Sequence, residues 1–264
     1  MTEAATPKLS ALVVIHNEEA HLEACLSCLG FADEIVVVLD RCTDGSKAIC
    51  DRFGTVTVEG AWEIEHERRN DGIATCTGGW ILEIDADERV PEALGQEIRE
   101  RIKSAAPGCY LIWFNNYVGP KHVAHGWGAY NGISAKYALF AKGHKVWGKA
   151  RVHPPITLTG AKGELSGRID HFVDDDLTDM FARLNGYSLR AAQDMVEMGT
   201  TPTRWKTFRR FFSRGYKSYV ARRGYKEGGM GVALALFSAL YPVLSYLKAK
   251  ELEAAKGRSE TAAG

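Results

Sequence analysis

The stretch WILEIDADERV, residues 80–90, decides how this chain is expected to fold. Its first five residues, Trp80 to Ile84, form a short apolar run that is typical of a buried strand. Two aspartates with one residue between them, Asp85 and Asp87, follow the strand directly. In open α/β sheets, ligands bind beyond the carboxyl ends of the strands. The stretch therefore predicts a buried strand that ends in a polar site.

Three further apolar runs precede this strand, and helical segments separate them. The predicted strands are Leu9–Ile15, Glu34–Leu39 and Thr55–Val58, and the predicted helices include Lys47–Phe53 and His66–Cys76. Strands that alternate with helices in this way predict an α/β domain, with a mostly parallel central sheet and helices on both faces.

The size and composition of the chain fit such a domain with a helical addition. The chain has 264 residues, of which 45% are hydrophobic and 25% are charged. We expect a first domain over residues 1–175 and a C-terminal helical region over residues 176–264. The six cysteines lack the spacing of a disulfide framework or a zinc site, and the N-terminus lacks a basic signal-peptide region. Both features predict a cytosolic protein.

Asp85 and Asp87 are the strongest candidates for chemistry. Two carboxylates that are one residue apart can hold Mg²⁺ or Mn²⁺ against phosphate oxygens. Such a cation stabilises a diphosphate as it leaves a sugar. A solvated acidic turn is the alternative. His171 follows a short strand-like stretch, Ser166 to Asp170, and is a candidate for completing the metal site.

Asp40 and Arg69 are candidates for nucleotide contacts. Asp40 follows the second predicted strand, so Asp40 and Asp85 are expected to face one crevice. A carboxylate there can accept hydrogen bonds from a uracil N–H or from ribose hydroxyls. Arg69 lies on a helix that returns toward this crevice and could contact a base or a phosphate. The alternatives are a turn residue for Asp40 and a surface charge network with Glu65 and Arg68 for Arg69.

A Gly-rich, aromatic stretch follows at residues 118–132 and includes Gly126 and Trp127. The glycine allows the backbone to approach a sugar closely, and the indole ring could stack on that sugar. An ordinary turn is the alternative. We interpret the stretch as part of a region that faces the acceptor, the molecule that would receive the sugar.

The C-terminal region has the composition of a membrane-binding segment. Residues 204–226 contain nine Lys or Arg, seven aromatic residues and no acid, and residues 230–247 form an uncharged run interrupted by Pro242. Basic and aromatic residues together suit an anionic bilayer surface or a nucleic acid. The adjoining uncharged run favours the membrane, with a helix in one leaflet. A helix that packs on the protein's own core is the alternative.

Four motifs of the chain resemble those of the family 2 inverting glycosyltransferases. The motifs are LSALVVIHNEE at residues 9–19, EIVVVLDRCTDGS at 34–46, ERRNDGI at 67–73 and GWILEIDADERV at 79–90. Within the family, the chain looks like the branch of lipopolysaccharide-core β-glucosyltransferases. The resemblance extends over about residues 8–250 and is most specific in the first hundred.

The resemblance implies a GT-A fold and a metal-dependent transfer of glucose or another hexose from a UDP-sugar. The implied acceptor is a lipid-linked saccharide such as lipopolysaccharide core. The enzyme would be cytoplasmic and peripheral on the inner face of the membrane, without a nucleic-acid partner. The matching positions are Asp40 for the nucleoside-contacting acid, Arg69 and Asn70 for an Arg-Asn pair, Asp85 and Asp87 for the DxD acids, Gly126 and Trp127 for the glycine loop, and His171 for the metal histidine.

The general base is where this chain departs from the branch. An acid usually follows Val-His, whereas Pro154-Pro155 follows Val152-His153 here. An inverting transfer needs a proton acceptor near the acceptor hydroxyl. His153 and Asp170 are the candidates, and an acid of the run Asp174 to Asp176 is a further possibility.

Two other functions stay open at the level of sequence. A nucleotidyltransferase on a related fold would need a Gly-rich, basic phosphate loop after the first strand, where His16-Asn17-Glu18-Glu19 stands instead. A scaffold that binds nucleotide sugars without a competent base would be consistent with Pro154-Pro155.

Overall fold

The computed structural model describes residues 7–128, 132–149 and 155–263, with side chains through residue 258. The chain forms two compact units. The first comprises residues 1–115 and 135–171, and the second comprises residues 116–134 and 172–264. The sequence-based division into domains 1–175 and 176–264 stays a prediction.

The first third of the chain forms the parallel part of the central sheet. Its strands are β1 (Leu9–Ile15), β2 (Glu34–Asp40), β3 (Val56–Gly60) and β4 (Trp80–Ile84), connected by α1 (Glu19–Ser27), α2 (Ser46–Phe53) and α3 (Glu65–Thr75). β1 lies between β2 and β4 and is parallel to both, and β2 is also parallel to β3. Every residue of β1 is buried. The predicted α/β class and its four strands are confirmed.

The remaining strands extend the sheet. They are β5 (Glu88–Arg89), β6 (Gly108–Val118), β7 (Lys121–His122), β8 (Ala135–Ala141) and β11 (Ala161–Asp174), with α4 (Glu92–Ser104) between β5 and β6. The strand order is β3-β2-β1-β4-β8-β6-β11-β5, and β7 pairs with β6. The pairs β4–β8, β6–β8 and β5–β11 are antiparallel. The sheet is therefore mixed, because parallel pairing continues only where helical crossovers connect the strands.

A separate pair of short strands, β9 (Lys145–Trp147) and β10 (Ile156–Leu158), is also antiparallel.

The main core lies on the two faces of the parallel strands. Leu9, Val13 and Ile15 of β1 belong to a cluster on one face, and Leu12 belongs to a cluster on the other. This alternation follows from the two-residue period of a strand.

The second unit is mostly helical. Its helices are α5 (Leu177–Glu197), α6 (Arg204–Tyr216) and α7 (Gly229–Ala263), with a π-helical turn at Lys217–Ala221 and a 3₁₀ turn at Gly224–Glu227. A buried cluster joins Trp127, Met180 and Leu184 to Leu234 and Phe237 of α7. By length and composition, α7 could cross a membrane. Just under half of its most apolar 18-residue stretch, however, is buried inside the protein. The predicted run at residues 230–247 is therefore part of a longer helix with a packed face.

Candidate active site

The carboxyl ends of β2 and β4 carry the two acids that the sequence analysis placed in one crevice. Asp40 is the last residue of β2, and Asp85 directly follows β4. Both strands are parallel to β1, which lies between them. Both acids therefore lie at the same edge of the sheet.

The turn after β4 brings two acids and a histidine together. β5 pairs with β11 so that Glu88 lies opposite His171. Nε2 of His171 is 3.3 Å from Oδ2 of Asp87. One ligand atom from each of Asp87, Glu88 and His171 lies within 4.8 Å of the others. Oxygen and imidazole donors of this kind suit a divalent cation.

Asp87 has an atom that lacks a partner within the described part of the chain. Its Oδ1 is buried and has no hydrogen-bond partner there, although Oδ2 lies beside His171. Buried polar atoms are paired in most native structures. An orphaned carboxylate oxygen inside an Asp-Glu-His cluster therefore fits a bound cation.

Two basic side chains of the protein, Lys136 and Arg69, contact the carboxylate of Asp85. Nζ of Lys136 is 2.9 Å from Oδ2, and both terminal nitrogens of Arg69 are 3.3 Å from Oδ1. Burial opposes the ionisation of Asp85, but Lys136 and Arg69 lower its pKa well below the usual range. The cluster thus differs from the predicted metal set in one member, since Glu88 joins Asp87 and His171 while Asp85 pairs with the two cations.

Lys136 and Glu88 are site residues that the sequence analysis missed. Nζ of Lys136 is 2.7 Å from each carboxylate oxygen of Glu88, and the backbone N–H of Asp85 donates to Glu88 Oε2 at 3.1 Å. Burial raises the pKa of Glu88 to about 7, with Asp85 and Asp87 adding to the rise and Lys136 opposing it. The adjacency of Glu88 to the DxD pair was a usable signal. Nothing in the sequence around Lys136 links it to these acids.

Glu18 is a further acid at this edge that was missed. It precedes α1, and burial raises the pKa of its carboxyl, with the negative charge of Asp87 as the next cause. Its backbone N–H donates to Oγ of Ser46 at 3.2 Å. The carboxyl of Glu18 therefore adds negative charge near the cluster.

Asp40 is buried with its charge compensated by arginines. Its Oδ2 accepts hydrogen bonds from Arg41 and Arg68, each at 3.0 Å, and its Oδ1 accepts from the backbone N–H of Trp62 at 3.2 Å. Burial opposes ionisation, but these donors and the positive charges lower the pKa of Asp40. A nucleoside would share Asp40 with Arg68, the neighbour of the predicted Arg69.

The Arg69 side chain is hydrogen-bonded to acidic side chains, whereas the Asn70 side chain is hydrogen-bonded to backbone groups. Arg69 donates to Glu65 at 3.0 Å and to buried Glu83 at 2.6 Å, in addition to Asp85, and its guanidinium lies 4.7 Å from the centre of the Trp147 ring. The Asn70 side chain donates to the Trp147 carbonyl at 2.8 Å and accepts from its N–H at 3.1 Å. Arg69 therefore reaches the site as a partner of its acids, whereas Asn70 connects α3 to β9.

Asp170 lies on the wrong face to work with the cluster. Adjacent residues of a strand point to opposite faces of the sheet. His171 packs against Phe114, with ring centres 5.0 Å apart, whereas Asp170 accepts a hydrogen bond from Asn115 at 2.9 Å. The structure therefore places Asp170 against Asn115 rather than in the cluster, and its role as a base stays a prediction. His153, the other candidate base, lies outside the described residues.

Gly126 and Trp127 belong to the second unit, and both form hydrogen bonds with other residues of that unit. Gly126 has a φ of +91°, its N–H donates to the Arg222 carbonyl at 3.0 Å, and its carbonyl accepts from Oγ of Ser218 at 2.7 Å. Trp127 is only 4% exposed, and its indole N–H donates to the Val123 carbonyl. The expectation that Trp127 stacks on a sugar is corrected, because its ring is part of a hydrophobic core.

Residues 10–150 of the chain match the family model for glycosyl transferase family 2. An uncharacterized glycosyltransferase of Rickettsia bellii is 25% identical over 96% of this chain and 89% of the relative. The lipopolysaccharide core biosynthesis glycosyltransferase LpsC of Rhizobium meliloti is 26% identical over 95% of this chain and 94% of the relative. The family match and the observed α/β sheet confirm the predicted GT-A type fold.

A weaker likeness connects the chain to a solved structure. Glucosyl-3-phosphoglycerate synthase from Mycobacterium tuberculosis, solved with Mn²⁺, UDP and glucosyl-3-phosphoglycerate, is 20% identical with a TM-score of 0.36. The match covers 43% of this chain and 45% of that one, so the chain spans less than half of its length. This likeness is too weak to support an inference about ligands.

Proposed function

Because the chain belongs to glycosyl transferase family 2, we propose that it transfers a hexose, such as glucose, from a UDP-sugar with inversion at the anomeric carbon. The observation that carries the proposal is the cluster after β4, where the orphaned Oδ1 of Asp87 lies beside Glu88 and His171. This cluster lies beyond the carboxyl end of a parallel strand, where α/β sheets bind their ligands.

Asp87 and His171 would hold Mg²⁺ or Mn²⁺, with Glu88 as the third candidate ligand. When bound, such a cation offsets the charge that develops on a diphosphate leaving group. The donor set fits this role because carboxylates and a neutral imidazole are ordinary ligands of these ions. Asp85 would contribute to the donor site through Lys136 and Arg69, which balance its charge and hold its carboxylate in position.

The reaction needs one bond to form as another breaks. An acceptor hydroxyl attacks the anomeric carbon, and the bond from that carbon to the diphosphate oxygen breaks on the opposite face. A base takes the hydroxyl proton. His153 is the proposed base, since an imidazole with an ordinary pKa of about 6.5 suits this task near neutral pH. Asp40 is the proposed contact for the nucleoside.

The proposed acceptor is a lipid-linked saccharide such as lipopolysaccharide core. The support is the likeness to a lipopolysaccharide core biosynthesis glycosyltransferase over nearly the whole chain. A lipid-linked acceptor requires access to a bilayer. The basic, aromatic segment at residues 204–226 supports a peripheral position on the cytoplasmic leaflet.

A thermal-shift panel of nucleotide sugars, with and without Mn²⁺, tests the donor. A ligand at 100 times its Kd should stabilise the fold by about 2.7 kcal/mol. We expect UDP-sugars to raise Tm only with the cation present. Stabilisation by every nucleotide sugar alike, or by none, would contradict the proposal.

Product formation then distinguishes an enzyme from a binding scaffold. The stabilising donor is incubated with lipid-linked saccharide, and UDP release is measured with and without this acceptor. We expect acceptor-dependent release of UDP. Binding of the donor without release under either condition would favour a scaffold that lacks a working base.

A further inference from the structure

Helix α6 presents a stripe of exposed aromatic rings. Trp205, Phe208, Phe212 and Tyr216 are 73%, 54%, 57% and 62% exposed. Phe208, Phe212 and Tyr216 lie three, seven and eleven residues after Trp205, a spacing that places all four rings on one side of a helix. The rings of Trp205 and Phe208 are 5.8 Å apart and those of Phe208 and Phe212 are 4.8 Å apart, so the stripe is continuous.

An apolar groove of about 640 Å³ runs beside this stripe. Trp205, Phe208 and Phe212 line it from α6, and Val243, Tyr246 and Leu247 line it from α7. The volume falls in the range of sites that hold small molecules, roughly 300–1,000 Å³. Its apolar lining suits a hydrocarbon chain.

The charge around the stripe is positive and uncompensated. Residues 204–226 contain nine Lys or Arg and no acid, although the whole chain has no net charge. Across the part of the chain that the structure describes, no carboxylate forms an ion pair with any of the nine. Lys206 and Arg209 are exposed on α6, and Lys217 is exposed just beyond it. An anionic surface would complement these cations.

Helix α7 is a packed element of the second unit. Leu234 and Phe237 are buried in the apolar cluster, and Ser238, Ser245 and Ala249 are buried farther along the helix. Crossing a bilayer would strip α7 of these contacts. The buried part of its apolar surface is explained by the faces that it packs against the rest of the second unit.

We propose that α6 is an interfacial helix that inserts its aromatic stripe into an anionic membrane, and that the groove between α6 and α7 takes one acyl chain of an anionic phospholipid. The inference rests on the proposed association with a bilayer and assigns it to particular side chains. The aromatic rings lie at the boundary between headgroups and acyl chains, with the cations on lipid phosphates, and α7 does not cross the bilayer.

The first experiment is flotation of the full chain with vesicles of phosphatidylglycerol and phosphatidylcholine, or of phosphatidylcholine alone. The triple variant W205S/F208S/F212S should lower the partition coefficient on anionic vesicles at least tenfold. The control variant L177S/M198S removes two exposed apolar side chains, one from the first residue of α5 and one from the residue that follows α5. It should bind vesicles like the wild type. Circular dichroism and Tm establish that each variant is folded.

The second experiment measures insertion directly. Phospholipids brominated in their acyl chains quench nearby tryptophan, and Trp205 is the one tryptophan among the strongly exposed side chains that the structure describes. We expect quenching of wild-type emission and loss of most of that quenching in W205F, which keeps an aromatic ring and should still bind vesicles. Equal quenching in W205F would overturn the inference.

The remaining outcomes are also decisive. Vesicle binding that the triple variant leaves unchanged would assign the membrane contact elsewhere and overturn the inference. So would binding of a single-stranded oligonucleotide that excludes vesicles, since cations and rings also suit nucleic acids. Acceptor-dependent UDP release in the absence of vesicles tests the proposed function separately. If it persists in the triple variant while vesicle binding by the wild type is absent, only the membrane inference fails.

Discussion

Lys136 is the residue on which the charge balance of the site depends. Its Nζ contacts both Asp85 and Glu88, and its side chain is only 14% exposed. Removing one partner of a buried ion pair leaves the other charge uncompensated, which typically costs 3–5 kcal/mol. Lys136→Met should therefore lower the free energy of unfolding by about 3 kcal/mol and abolish transfer.

Urea denaturation of this variant is the measurement, with Lys162→Met as the control because Lys162 is an exposed lysine of β11. Lys136→Arg should recover part of the loss, since it restores the positive charge. An unfolding free energy equal to that of the wild type in Lys136→Met would show that the acids do not need this cation.

The identity of the general base also depends on single residues, with His153 and Asp170 as the candidates. His153→Ala should slow transfer by about 10²-fold, the scale of general base catalysis, with donor affinity nearly unchanged. Asp170→Asn is the matched variant and should transfer at close to the wild-type rate, because Asp170 faces Asn115 on the other side of the sheet from His171. Measurement of steady-state kcat and KM for both variants shows which of the two residues acts as the base. A slow Asp170→Asn beside an unimpaired His153→Ala would return the role to Asp170.

The sequence was informative about some residues of the site for a physical reason. Asp85, Asp87 and Asp40 lie at strand ends, so a correct strand prediction already placed them at one edge. Lys136 comes from β8, and its approach to Asp85 depends on antiparallel pairing between β4 and β8 that no local pattern encodes. Trp127 was misassigned because a buried ring and a ligand-binding ring look alike in a Gly-rich stretch.

At the scale of elements, Glu34 ties the amino ends of three strands together. The carboxylate of this first residue of β2 accepts hydrogen bonds from Oγ of Ser10 on β1 and from Thr77 and Gly78 before β4. Burial opposes ionisation, but these donors lower the pKa of Glu34 from 4.5 to about 2. The side chain is 12% exposed. Hydrogen bonds to a charged group of this kind contribute about 2 kcal/mol.

Glu34→Gln should therefore lower the free energy of unfolding by about 2 kcal/mol at pH 7. Because the pKa of Glu34 is depressed in the folded state, its stabilisation is complete above pH 4.5 and is lost as the pH falls toward about 2. Urea denaturation from pH 7 to pH 3 should show the wild type and the variant converging. A difference that stays constant over this range would contradict the assignment.

The elements themselves were predicted unevenly. The four parallel strands were found within one or two residues because they are short runs separated by helices, and those of β1, β2 and β4 are mostly apolar. β5 has two residues, and β11 has fourteen with alternating exposure, so neither resembles a buried parallel strand. Their pairing, which brings Glu88 opposite His171, is a long-range contact and was outside the reach of local periodicity.

At the scale of the whole molecule, the two compact units have different relations to the proposed reaction. The first contains the acid cluster, and the second contains the basic and aromatic helix. Deleting residues 204–264 would remove α7 and with it Leu234 and Phe237 of the second core. Substitutions of exposed side chains on α6 therefore test membrane binding better than truncation does.

Isothermal titration of UDP into the full chain, with Mn²⁺ or with excess chelator, tests directly whether a metal ion at Asp87 takes part in nucleotide binding. The wild type should bind UDP with Mn²⁺ present and at least tenfold more weakly in chelator. Asp87→Asn should lose the Mn²⁺-dependent part of the affinity while keeping its fold by circular dichroism, and Asp170→Asn should bind as the wild type does. Equal UDP affinity in Mn²⁺ and in chelator, or a wild-type affinity in Asp87→Asn, would contradict a metal-assisted nucleotide-sugar site at Asp87.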